Sequence, residues 1–400
     1  MTSTKTKWVN PSILKWARER LRLTPQEVEC EAQKLKRRYY APISAKELER
    51  WERGLDDPEL VHLETLSEIY DCPVGYFFLE RPPEEEKLPL SLRGVSKTPD
   101  ALSPTTWRTL RRFYDLALWT VELIKELDIS WTVKIRPGQV VADPSQVKHI
   151  VLGQPEYSEW RAERAELNED RERALQWWRT RIEKKGVFCF QMRLEPSEVR
   201  GATLWIEDKY PFILINRNDV EAASGRLFTL LHEYAHLITE HEGILCDFRG
   251  VGRSARTERF CNCFAAQMLV SKEELEDRLT ELGYHHRRER WADRVLDEIR
   301  RPLMVSRDVV VVMLQEMDLA PKDLYDKKRK QWEKRKPWGR RPGRLTKKET
   351  KLRELGYSLT KLLARHSEHP AFPWLDVAFL LDTKVEKVSE FLEWAEQRQQ

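Results

Sequence analysis

The sequence predicts an α+β fold that is predominantly helical, with one small β-sheet late in the chain. Three observations carry this expectation. Most of the 400 residues lie in segments whose apolar side chains recur every three or four positions, the helical period. Strand character is concentrated at residues 186–216, where GVFCFQMRL, ATLWIE and FILINR are short runs of β-branched and aromatic residues separated by turn formers. Directly after them, residues 222–239 return to the helical period and contain His-Glu-Tyr-Ala-His at 232–236. The chain is longer than one compact core usually holds. The expected divisions are 1–90, 91–325, 326–351 and 352–400.

Composition narrows the function classes. No stretch of about 18 apolar residues exists, which excludes a spanning helix. The first residues, MTSTKTKWVNPS, lack the apolar segment of a signal peptide. Six cysteines, at 30, 72, 189, 246, 261 and 263, are scattered rather than arranged as a disulfide framework. A reduced, cytoplasmic protein with no membrane partner is expected. The net charge of +4 is uneven. Residues 327–351 hold thirteen Lys or Arg against two acids, a local excess of +11 that leaves the rest at about −7.

Taken in order, residues 11–80 predict a bundle of short helices. Ile13, Leu14, Ala17 and Leu21 share one stripe. Thr24 with Glu27, and Ser44 with Glu47, have capping-box spacing, and Gly54 closes the helix that Ser44 opens. Leu60, Leu63, Leu66 and Ile69 are in phase in a further helix. Clustered prolines and a charge run near 82–95 suggest a boundary. Residues 104–127 and 157–185 predict long helices, with short strands between them in ISWTVKI. After the β-rich region come the helix at 222–239, a second at 257–269 and a third from Ser271. Residues 287–301 predict a charged helix. The basic segment 327–351, rich in Pro, Gly and Trp, predicts a linker, and 352–396 is amphipathic helix again.

The pentapeptide carries chemistry. His232 and His236, four apart on a helix, project from one face and can share a metal. Glu233 lies where a carboxylate can take a proton from a water that the metal activates. This is the H-E-x-x-H pattern of zinc peptidases. Catalytic zinc takes three protein ligands and keeps one position open. The metzincin positions for a third His and a Gly are filled by Glu242 and Thr239, which excludes that subclass. The gluzincin solution places a Glu on the next helix, and Glu258 stands there, although a helix-start carboxylate is also favoured by the dipole alone. Asn262, one turn on, could hold a ligand imidazole by its outer nitrogen. Cys261 and Cys263 point about 200° apart on a helix and read as small buried hydrophobes. His241 and Cys246 stand just beyond the first ligand helix and could reach the metal in an inhibited state.

The run GVFCFQ, RGATLW, PFILINRND, RLFTLLHEYAHLI and ERFCNCFAAQMLV, ending at 270, resembles the ImmA/IrrE metallo-endopeptidase family. The resemblance continues in MVSRDVVVVMLQEMDLAPKDLY at 304–325. LTPQEV and ELERWERGLDDPELVHLETLSEIYDCPVGYFFLERPPEEEKLP resemble the XRE-like helix-turn-helix domain that members often carry. Val270-Ser271 departs from the Met-Pro or Val-Pro of many members. The resemblance implies a gluzincin-like core with Zn²⁺ on His232, His236 and Glu258, and Glu233 as general base. It implies limited proteolysis of a regulatory protein, an XRE-type repressor or antitoxin, in stress response or mobile-element control. The strand at 202–206 is expected to be an edge that pairs with an extended peptide. Tyr210 and His241 are candidates for oxyanion stabilisation, and 240–254 for a lid. DNA is a possible partner through 1–90 or through 327–351, where Trp332 and Trp338 could stack on bases. Against it, residues 1–95 hold sixteen basic and seventeen acidic residues, not the basic footprint of a DNA reader. A protein-recognition module is the other reading of that domain. The alternative for the whole chain is a helix-turn-helix transcriptional regulator whose metal site is structural or sensory.

Overall fold

The computed structural model describes residues 8–35, 40–83, 90–91, 102–167, 170–195, 198–218, 222–239, 243–246, 255–333 and 345–398. The chain divides into two compact units. One comprises Met1–Leu88 with Ser103–Arg112, the other Pro89–Leu102 with Phe113–Gln400. No helix among the described residues is long and apolar enough to cross a membrane.

The first unit is helical, as its periodicity requires. Helices Pro11–Arg20, Pro25–Lys34, Ala45–Glu52 and Leu60–Tyr70 are followed by a 3-10 turn, Val74–Phe78. Both capping boxes form: Thr24 with Glu27, and Ser44 with Glu47. Each satisfies amide groups that the first helical turn would otherwise leave without partners. Gly54 takes the positive φ of 67° that ends the third helix. Ile13, Leu14, Leu48, Leu66 and Phe77 are fully buried at the centre. Arg18 grips Glu52 with two bonds of 2.7 and 2.8 Å, tying the first helix to the third. Of the long segment between the second and third helices, residues 36–39 lie outside the described residues.

The second unit is built on a five-stranded sheet: β1 Leu90–Ser91, β2 Phe188–Met192, β3 Gly201–Ile206, β4 Tyr210–Asn216 and β5 Gly243–Cys246. The spatial order is β1-β5-β3-β4-β2. β2 runs parallel to β4, whereas β3 is antiparallel to both β4 and β5. The three β-rich runs therefore form strands where expected. The edge expectation at 202–206 is corrected for Ala202 and Thr203, which have strands on both sides, whereas Leu204–Ile206 pair with β4 alone among the described strands. β4 pairs along all of β3, and β5 covers its other side at Gly201–Thr203. The sequence of a strand does not reveal which neighbours it will find, and β5 comes from beyond the next helix.

Every residue of β3 and β4 is buried, because helices cover the sheet. Helix Ala222–Thr239 packs on both strands and is flanked by helices Arg171–Glu183 and Ala255–Leu269. Helix Arg307–Glu316 packs on the last of these. A helix at Lys347–Arg365 packs on β2, and helices Trp374–Leu380 and Val388–Gln397 follow it.

Four further expectations change. ISWTVKI forms no strand; Trp131 stacks on Phe188 with ring centres 4.6 Å apart, and packing replaces pairing. The long helix at 157–185 is broken into Pro155–Glu163, a 3-10 turn at Arg164–Leu167, and Arg171–Glu183. Asp170 restarts the helix by accepting from the amides of Glu172 and Arg173. The charged helix expected over 287–301 begins only at Asp293 and runs to Leu303. The basic segment is not wholly a linker. Helix Leu324–Glu333 takes its start and helix Lys347–Arg365 its end, while 334–344, including Trp338, lie outside the described residues. Its described cations bind acids: Lys328 to Asp293 at 2.6 Å, Arg329 to Asp308 at 3.1 Å and Lys348 to Glu390 at 2.6 Å. Trp332 is buried and donates to Asp293, so its ring is not presented for stacking.

Candidate metal centre

Helix Ala222–Thr239 is apolar on almost every side, the pattern of a helix enclosed within a core. Leu227, Leu231, Ala235 and Ile238 fill the interior beside it. Burial makes two histidines on this helix costly unless their polar atoms are engaged. His232 and His236 are both buried, with their Nε2 atoms 3.0 Å apart. Glu258 lies in the first turn of helix Ala255–Leu269, where the positive end of the dipole favours a carboxylate. Its Oε2 is 3.4 Å from His232 Nε2 and its Oε1 is 3.6 Å from His236 Nε2. The three side chains thus converge from two adjacent helices, and among the described residues they form a group able to hold a metal ion.

One ligand atom from each residue can be chosen so that all lie within 4.8 Å of one another, close enough to share one ion. Two imidazole nitrogens and one carboxylate form a donor set that suits a borderline divalent metal.

Glu233, beside the first ligand, is fully buried. Its side chain lies against the start of β3. A methyl group built on Gly201 would meet Glu233 Oε1 at 2.5 Å and its Cδ and Cγ at 2.7 Å. Gly201 thus leaves room for the carboxylate, a contribution that sequence reasoning missed. The only trace in the chain is a glycine opening a buried strand, which generally marks close approach by a neighbour.

The outer nitrogen of His236 is met by Cys261, not Asn262. Cys261 Sγ lies 3.3 Å from His236 Nδ1, whereas Asn262 Oδ1 has no hydrogen-bond partner among the described residues. Cys261 is therefore more than a small buried hydrophobe. Tyr234 is buried against Phe264 and its hydroxyl is pushed up by desolvation. Tyr210 is buried at the start of β4, with the Lys209 ammonium over its ring. His241, and most of the expected lid at 240–254, lie outside the described residues. For Cys246 the strand backbone alone is described.

No curated protein and no solved structure matches the chain. Residues 182–315, which hold both ligand helices and strands β2, β3 and β4, match the family model for the IrrE N-terminal-like domain of peptidase family M78, and this supports a metallopeptidase of the IrrE/ImmA type.

Proposed function

We propose that the protein is a zinc-dependent endopeptidase of gluzincin type that makes limited cuts in a regulatory protein, an XRE-type repressor or antitoxin, in stress response or mobile-element control. The observation that carries the reading is the convergence of His232, His236 and Glu258 within a segment matching a metallopeptidase family. His232 and His236 would hold the ion through Nε2, and Glu258 through its carboxylate. When bound, zinc supplies Lewis acidity that polarises the scissile carbonyl and acidifies water near it.

Glu233 is the general base of this proposal. It takes a proton from the attacking water and later delivers it to the leaving amine nitrogen. Gly201 leaves the space in which the carboxylate lies. The partner reading follows from the family resemblance, and the DNA reading of residues 1–90 from their helical bundle.

A second reading is a helix-turn-helix transcriptional regulator whose metal site is structural or sensory. Against it, a structural zinc site is closed by four protein ligands, and three converge here among the described residues. Glu233→Gln separates the two. The variant is expected to bind zinc as the wild type does, and to lose all cleavage of a repressor co-expressed with it. Cleavage that persists in the variant at the wild-type rate would rule out Glu233 as the base, and the peptidase mechanism with it.

A further inference from the structure

We infer that Cys261 is a positioning residue of the metal centre: its sulfur accepts the Nδ1 proton of His236 and so holds that imidazole with Nε2 turned to the ion. The inference rests on the zinc-site reading above and adds the residue that orients one of its ligands.

The argument begins with imidazole. A neutral ring carries one N–H, and the nitrogen that binds a metal must present its lone pair. The Nε2 atoms of His232 and His236 face each other at 3.0 Å, with Glu258 oxygens 3.4 and 3.6 Å away. Nε2 is therefore the ligating atom on both rings, and the proton of His236 sits on Nδ1. That nitrogen is 3.3 Å from Cys261 Sγ, within hydrogen-bonding range for sulfur, and both residues are buried. Ligand histidines generally gain their tautomer and orientation from such an outer partner.

Helix Ala255–Leu269 makes the arrangement economical. Glu258 and Cys261 are three residues apart and lie on neighbouring positions of one helical face. A single helix then supplies the third ligand and also braces the second. The next cysteine is different. Cys263 interacts with Arg259 and Glu316, and burial pushes its thiol up. Sulfur is a weak acceptor compared with a carboxylate or carbonyl oxygen. Cys261 therefore orients His236 while adding less to its basicity than an oxygen partner would.

The test compares zinc dissociation constants of the full-length wild type, Cys261→Ala and Cys263→Ala, measured by competition with a chromophoric chelator. Each alanine removes one buried sulfur from the same helix, but only one touches a ligand. Cys261→Ala is expected to weaken zinc binding about tenfold to a hundredfold, with Cys263→Ala close to wild type. Equal weakening in both variants would show a packing effect and overturn the assignment. So would a Cys261→Ala dissociation constant within about twofold of wild type. A wild type that binds no zinc would sink the zinc-site reading itself, and this inference with it.

A measurement on the wild type holds even if Cys261→Ala does not fold. In zinc-loaded protein labelled with ¹⁵N-histidine, long-range proton–nitrogen correlation should place the His236 proton on Nδ1 and the metal on Nε2. The reverse tautomer would refute the proposal.

Discussion

Glu233 and Gly201 show how a residue without a side chain makes room for a buried carboxylate. A Cβ at residue 201 would overlap Glu233 Oε1, Cδ and Cγ, so the whole buried side chain must turn and not only its tip. Gly201→Ala is therefore expected to cost about 1–3 kcal/mol of stability and to lower peptidase turnover about a hundredfold, the scale of a misplaced general base. Zinc affinity should be unchanged. Turnover equal to wild type, measured on a cleavable repressor, would show that the carboxylate needs no such space. At this scale the sequence was legible where contacts are local. His232, His236 and Glu233 share one helix, and Glu258 opens the next. That Cys261 and not Asn262 meets His236 has a definite reason. The two stand four and three residues after Glu258, both near its face, and only the angle at which two helices dock decides which one meets His236.

The helix Lys347–Arg365 illustrates what an element gains from a break. Gly356 has φ 79° and ψ 168°, which interrupts the helix in its middle. The freed amide of Tyr357 donates to Glu183 at 3.1 and 3.3 Å. Arg179 spans the junction, donating to Arg353 O at 2.8 Å and to the carbonyl of Cys189 on β2. A side chain at Gly356 would collide with the Cys189 carbonyl, so glycine is required both by its φ and by this approach. Burial pushes the Glu183 carboxyl from the ordinary 4.5 up to about 7, against the pull of the Arg179 guanidinium. The folded state thus holds this proton more tightly than the unfolded chain does. Its stabilising contribution is complete below about pH 4.5, declines as pH rises, and is gone above about pH 7; the gap corresponds to on the order of 3 kcal/mol. Glu183→Gln cannot titrate. The stability of the variant relative to wild type should therefore rise between pH 4.5 and 7 and stay level above. Urea unfolding at pH 5 and pH 7.5 that gives the same difference between the two proteins would disprove this coupling. Arg179 and Glu183 are one helical turn apart, but Cys189 and Gly356 join them only on folding, so the junction was not legible beforehand.

For the molecule as a whole, the C-terminal region completes the sheet-bearing unit. β2 is the last strand in the order, and helix Lys347–Arg365 packs on it. Ser358 Oγ donates to the carbonyl of Val187 at 3.2 Å. An uncovered strand edge is a template for pairing with other chains. A chain ending at residue 344 should therefore expose β2 and self-associate. Light scattering that finds it monodisperse, with a wild-type melting temperature, would show that the peptidase core stands without residues 345–398. The amino-acid order alone disclosed the helical class, the three consecutive strands, the capping boxes and the His232-Glu233-His236 run on one helical face. All of these depend on periods and spacings within a few turns of chain. It could not disclose that β5 returns to cover β3, that Gly201 makes room for Glu233, that Cys261 meets His236, or that a broken helix from the far end seals β2. Those are contacts between residues distant in sequence, set by how side chains of particular volume and charge pack once the elements meet, and no local pattern encodes them.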